Sequence, residues 1–304
     1  MVISGNGGTV DEAALALVRS NAASIVVTET QPSAELFSLL KDTGARFIVA
    51  LEDPRAIVAA TAAAGTSDLR SVVREVANVC PLLLDFVSLS GAVVIRAEDA
   101  HWKGIGLPLK VATEFGLVSD ACGPDTHPWV GANDGLALPP NPILPMGWNA
   151  MIDGALGTYA GTFEGAPLGN ITWTRELFST GGDPSGYPQL PIDLRSTLNG
   201  RFLVYGPYLS LPLGTWSAEV FFGFSVDAVG QTIHLNIGNL KGTIATSEFV
   251  VTQPGPTSAE IFFSLAGGQN ENVEIRILVG RDSAPGQMTF EHAVLRQIAN
   301  GKLR

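Results

Sequence analysis

Hydrophobic residues follow two different periods along this chain, and the change falls near its middle. In residues 1–120, short apolar runs alternate with Ala-rich stretches of helical spacing. SIVVT (Ser24–Thr28), RFIVAL (Arg46–Leu51) and AVVIR (Ala92–Arg96) are β-branched runs of the length expected for buried parallel strands. Helices are predicted between them. Val10–Arg19 has apolar positions at 10, 14, 15, 17 and 18, with Asp11 and Glu12 in the first turn, where the helix dipole favours anions. Ala34–Lys41 starts after Pro32 and Ser33, and Pro54–Ala64 opens with Asp53 as N-cap and Pro54 at the first helical position. Asp68–Phe86 reads as a longer helical segment interrupted near Pro81. Strand alternating with helix points to βαβ units on a parallel sheet.

From Cys122 to Trp148 the pattern breaks. Prolines 124, 128, 139, 140, 142 and 145 exclude a helix or a central strand, and such a run behaves as a stiff connector. The predicted organisation is an α/β domain over 1–122, a Pro-rich connector over 123–148 and a second domain over 149–304.

In that second domain period two takes over. Along Thr215–Ser225, Trp216, Ala218, Val220, Phe222 and Phe224 share one face, while Ser217, Glu219 and Ser225 share the other. Comparable runs are Asn170–Leu177, Gly200–Tyr205, Thr232–Ile237, Thr243–Val251, Ser258–Ala266, Val273–Val279 and Met288–Gln297. Eight short strands between Gly/Pro/Asn/Ser turns predict an antiparallel β-sandwich of the jelly-roll kind. The expected fold class is therefore α/β plus all-β.

Composition narrows the function. The 304 residues are 46% hydrophobic, and 29 Asp and Glu against 18 Lys and Arg give a net charge of -11. That balance argues against a nucleic-acid partner, which needs a surplus of cations to neutralise phosphates. No run of about 18 uncharged apolar residues exists to span a membrane. The opening MVISGNGGTVDEAAL lacks the features of a secretory signal. Two cysteines, Cys80 and Cys122, are too few for a disulfide framework and fit a reducing, cytoplasmic compartment.

Two resemblances follow from particular motifs. ISGNGG (Ile3–Gly8) before a helix, LEDPRAIVAAT (Leu51–Thr61) after a strand, and VVIRAEDA (Val93–Ala100) before VATEFGL (Val111–Leu117) occur in the order found in sulfotransferase-like P-loop domains. The resemblance implies a phosphate loop at Gly5, Asn6, Gly7 and Gly8. That loop carries no Lys or Arg, Asp11 and Glu12 fall beside it, and Glu52 stands where the family has Arg. Carboxylates there oppose a phosphate, so the reading is a degenerate donor site. In the other half, GRFLVYGPYLSLPLGTWSAEVFFGF (Gly200–Phe224) resembles the strand pair of carbohydrate-binding-type jelly rolls that accompany bacterial glycosyltransferase and polysaccharide-assembly proteins.

Sugar recognition needs flat apolar platforms with polar groups beside them. Tyr205 and Tyr208 flank a Gly-Pro turn and are the exposed platform candidates, and Trp173 and Trp216 are candidates for which the core reading is the stronger. Glu219, Glu260, Glu274 and Glu291 supply carboxylates on polar strand faces, as any exposed strand does. Histidines 101, 127, 234 and 292 show no zinc spacing, and Asp183, Asp193 and Asp227 do not match a calcium loop. The sequence thus predicts a non-catalytic protein with no cofactor and no metal. Its expected role is recognition of a glycan or glycoconjugate in surface polysaccharide assembly, with homo-oligomerisation left open. A transferase using a phosphorylated nucleotide donor and a structural or oligomerisation module are the alternatives.

Overall fold

The computed structural model describes residues 2–5, 26–29, 33–63, 68–96, 148–181, 190–197, 202–266, 272–280 and 285–298. The predicted helix at Val10–Arg19, loop residues Asn6, Gly7 and Gly8, and Cys122, His101, His127, Asp183 and Tyr187 lie outside the described residues. The chain divides into two compact units. One comprises Met1–Asp53 and Val79–Asn141, and the other Pro54–Asn78 and Pro142–Arg304. Residues 54–78, which the sequence pattern grouped with the first region, thus belong with the second.

The first unit is α/β. Strands β1 (Val2–Gly5) and β2 (Val26–Glu29) pair in parallel, as do β3 (Phe47–Leu51) and β4 (Ala92–Arg96). Between β2 and β3 runs α1 (Ala34–Thr43). Its N-cap Ser33 accepts a hydrogen bond from the Leu36 amide at 3.2 Å, and Gly44 closes it at φ 61°, a conformation that favours glycine. Phe86 packs edge-on against Phe37 and Phe47, with centroids 5.6 and 6.0 Å away, and Cys80 is buried. Burial raises the pKa of that thiol, which keeps it protonated and unreactive.

Two helices precede the connector in the second unit, and one follows it. Helix α2 (Pro54–Ala63) packs on α4 (Trp148–Phe163), with Arg55 3.7 Å from Asp153. Helix α3 (Leu69–Val87) is capped by Asp68, whose carboxylate accepts from the Ser71 amide at 3.3 Å. It runs unbroken through Pro81, which corrects the predicted interruption. Its residues to Asn78 belong to this unit. Helix α4 corrects the sequence reading further, because the sandwich does not begin at 149. Met151, Ile152, Ala155, Leu156, Tyr159, Ala160 and Phe163 repeat at helical spacing and are all buried. Gly154 lets the helix approach its neighbour, since a Cβ there would lie 2.6 Å from the Thr172 carbonyl oxygen.

The rest is an antiparallel sandwich. One sheet has the order β11-β10-β13-β8-β6, and the other β12-β9-β14-β5, with β7 also on β14. The strands are β5 (Ile171–Thr174), β6 (Ser179–Thr180), β7 (Ile192–Asp193), β8 (Val204–Ser210), β9 (Gly214–Phe224), β10 (Thr232–Asn239), β11 (Gly242–Val250), β12 (Gly255–Leu265), β13 (Asn272–Val279) and β14 (Gln287–Ile298). Alternation in β9 is as predicted, with Trp216, Ala218, Val220, Phe222 and Phe224 all buried. Ile233, Leu235, Ile237, Ile275 and Ile277 of the opposite sheet are likewise buried, and Phe222 of β9 stands 5.6 Å from Phe249 of β11 across the sandwich.

Candidate functional site

The aromatic candidates named from sequence differ in their exposure. Trp173 and Trp216 are both 0% exposed. Neither offers a ring face to solvent, because period two points each into the sandwich core; the Trp216 indole N–H is spent on the Pro212 carbonyl at 2.9 Å. Tyr205 and Tyr208 are half-buried. The turn expected between them is absent: Gly206 and Pro207 lie inside β8, and Tyr208 takes φ 65° at a register shift against β13. This bulge, with one more residue on β8 than on its partner, lets both tyrosines emerge within four positions of one strand. Gly5 closes β1, and the rest of the phosphate-like loop lies outside the described residues.

Around the tyrosines the outward face of the first sheet carries charge. Register aligns Thr246, Asn236, Arg276, Tyr205 and Ser179 in one row across all five strands. Alternation explains it: in VEIRILV the residues Ile275 and Ile277 point to the core, so Glu274 and Arg276 point away from it. Glu274 and Arg276 form an ion pair, with side chains only 7% and 18% exposed. The guanidinium carbon of Arg276 lies 5.5 Å from the Phe202 ring centroid, and Nη2, the nitrogen paired with Glu274, is also 3.4 Å from the Asn239 carbonyl. Space for it exists because position 238 is glycine; a Cβ there would come within 2.9 Å of Cζ.

The aromatic part is contiguous. Phe202 and Tyr205 have centroids 6.3 Å apart, and Tyr205 and Tyr208 6.4 Å apart at 70°. The Tyr208 hydroxyl donates to Glu274. Burial, then the Glu274 charge and this hydrogen bond, push its pKa up to about 12, so the phenol stays protonated.

Helix α3 contributes from the side. Asn78 accepts the Ser210 amide at 2.7 Å, at the end of β8, and Arg74 donates to the Leu177 carbonyl at 2.7 Å. Arg74 is close enough to Tyr205 and Tyr208 to interact electrostatically with both. Burial, then the Arg70 charge, lower its pKa from the ordinary value. Its buried Nε has no hydrogen-bond partner among the described residues, and neither has Nε of Arg276 or Oδ1 of Asn236. Each unmade bond costs roughly 1–3 kcal/mol.

Sequence reasoning named the two tyrosines and Glu274 but missed Phe202, Arg276 and Arg74. The i, i+2 spacing of Glu274 and Arg276 in one strand was a usable signal. Nothing in the sequence linked residue 74 to a strand 130 positions later.

The other predicted carboxylates are ordinary. Glu219 lies directly opposite Glu260 and is held by Arg296 at 2.9 Å, and Glu291 is exposed. No cluster of His, Cys, Asp and Glu suited to a metal occurs among the described residues, and no described helix is long and apolar enough to cross a membrane.

No protein-family model and no curated protein matches the chain. Among solved structures, it is similar to the carbohydrate-binding module CBM36 in complex with calcium and xylotriose, at 19% identity over 41% of this chain and 97% of that one, with a TM-score of 0.28. It is also similar to the CBM36-1 domain of a multidomain xylanase from the hindgut metagenome of Trinervitermes trinervoides (14% identity, 43% and 98% covered, TM-score 0.27) and to TmCBM61 in complex with beta-1,4-galactotriose (13%, 42% and 88%, TM-score 0.25). Of BiXyn10A CBM1 it spans 58%, and of the insecticidal delta-endotoxin Cry8Ea1 from Bacillus thuringiensis 16%. At these scores the likenesses carry no functional weight; what this chain binds must be judged from its own side chains.

Proposed function

We propose that the second unit recognises a glycan on the outward face of β8 and β13, without catalysing a reaction. The supporting observation is the run of part-exposed rings Phe202, Tyr205 and Tyr208 beside a nearly buried Arg276–Glu274 pair. Rings that stand together on a rigid strand can stack on the C–H faces of a sugar, and the fixed charged groups next to them suit its hydroxyls. Trp173 and Trp216 take no part in this reading, since burial makes them core. Surface polysaccharide assembly remains the proposed setting, on the motif resemblance of Gly200–Phe224. The transferase alternative rests on the phosphate-like loop, of which only Gly5 is among the described residues.

The test is a glycan panel titrated against the full chain and its Tyr205→Ala variant. Binding by the wild type, weakened about fivefold or more in the variant, is the expected result, as loss of one stacking ring removes roughly 1–2 kcal/mol. Binding that is absent, or indifferent to Tyr205, would overturn the proposal.

A further inference from the structure

We infer that Arg74, reaching the platform from helix α3, selects glycans that carry an anionic substituent, a uronic-acid carboxylate or an ester sulfate. This rests on the glycan reading above and names the ligand class of the same face. Two arginines border the tyrosines, and they are held differently. Arg276 is engaged by Glu274, by the Asn239 carbonyl and by the Phe202 ring. Its charge is neutralised where it stands.

Arg74 has no carboxylate within ion-pair distance among the described residues. One Nη is tied to the Leu177 carbonyl, which fixes the guanidinium without neutralising it, and Nε is an orphan donor. A second cation, Arg70, lies near enough to act on it unfavourably. Asp68 acts on it in the opposite sense. With one Nη tied and Nε buried, the other Nη is left as the donor for a charge-assisted hydrogen bond to a carboxylate or a sulfate. The global charge repels polyanions at long range, so a preference for acidic sugars would have to arise at such a local site.

The experiment titrates the full chain with a panel of uronic-acid oligosaccharides, each beside its carboxyl-reduced neutral form and a sulfated version of that neutral form. Anionic forms should bind about tenfold or more tighter than neutral ones, the scale of one charge-assisted hydrogen bond. Arg74→Gln should erase that preference, so that charged and neutral forms bind it equally. The carboxylate and sulfate arms tell the two sources of charge apart. Equal binding of charged and neutral forms by the wild type would overturn the role of Arg74 and leave the glycan reading standing, and this contrast needs no variant to fold. A preference that survives in folded Arg74→Gln would also overturn it. Binding of nothing on the panel would bring down both readings together.

Discussion

The two sheets of the sandwich share a core, but their outward faces are built on opposite terms. On the β9–β14 sheet, Glu219 meets Arg296 with the arginine 43% exposed, Phe221 stacks on His292 at 4.4 Å, and Phe262 stands 52% exposed beside them. These are surface groups sharing water with their neighbours. On the β8–β13 sheet the Glu274–Arg276 pair is almost wholly withdrawn from water, and residues of a helix distant in sequence border it. Withdrawing charges costs free energy that their mutual attraction only partly returns. That face also leaves Nε of Arg276 without a hydrogen-bond partner among the described residues. The contrast, rather than the aromatic count of either face, marks the candidate site.

The core common to both faces sets the upper end of the scale. Phe222→Ala should cost about 3–5 kcal/mol in urea denaturation, as for any fully buried aromatic. A small cost would mean that the faces do not share one core. Next comes the buried pair: Glu274→Ala strands the Arg276 charge and should cost about 2–3 kcal/mol, less than a fully enclosed pair because Arg276 keeps some exposure. On the opposite face Glu219→Ala should cost no more than about 1 kcal/mol, since Arg296 is well solvated. Equal losses from Glu274 and Glu219 would erase the distinction between the faces.

The subtlest difference lies in alkali. The Tyr208 phenol titrates at about 12 in the fold, above its ordinary 10.0. Its protonated form is therefore the stabilising one; the contribution is complete below pH 10 and disappears as pH rises through about 12. Stability of the wild type should fall more steeply across that window than that of Tyr208→Phe, as read by denaturation midpoints at stepped pH. Parallel curves would place the Tyr208 hydroxyl in water, away from Glu274.

Much of the sandwich was legible because one face of each strand is buried, and period two then writes itself into the residue types; β9 shows this in full. Helix α4 was not legible. Its exposed positions Asn149, Ala150 and Asp153 include a single charged residue, and three glycines interrupt the rest, so the contrast on which helical periodicity depends is weak. Strand β8 was misread because Gly206 and Pro207 ordinarily end strands, and only the bulge against β13 accommodates them. Arg74 and Asn78 show the harder limit. Their hydrogen bonds to Leu177 and Ser210 span 103 and 132 positions, and nothing local to either partner encodes such a contact.

Pro81 has a consequence for how α3 opens. A proline has no amide hydrogen to donate, so the Ala77 carbonyl loses its helical donor just where the chain passes from one compact unit to the other, between Asn78 and Val79. Cooperative protection of backbone amides is carried along a helix by consecutive rungs, and here one rung is missing. Amide hydrogen exchange should accordingly divide the helix, with Val72, Val73 and Arg74 exchanging in step with the sandwich strands and Leu84 to Val87 following the α/β unit at a rate of their own.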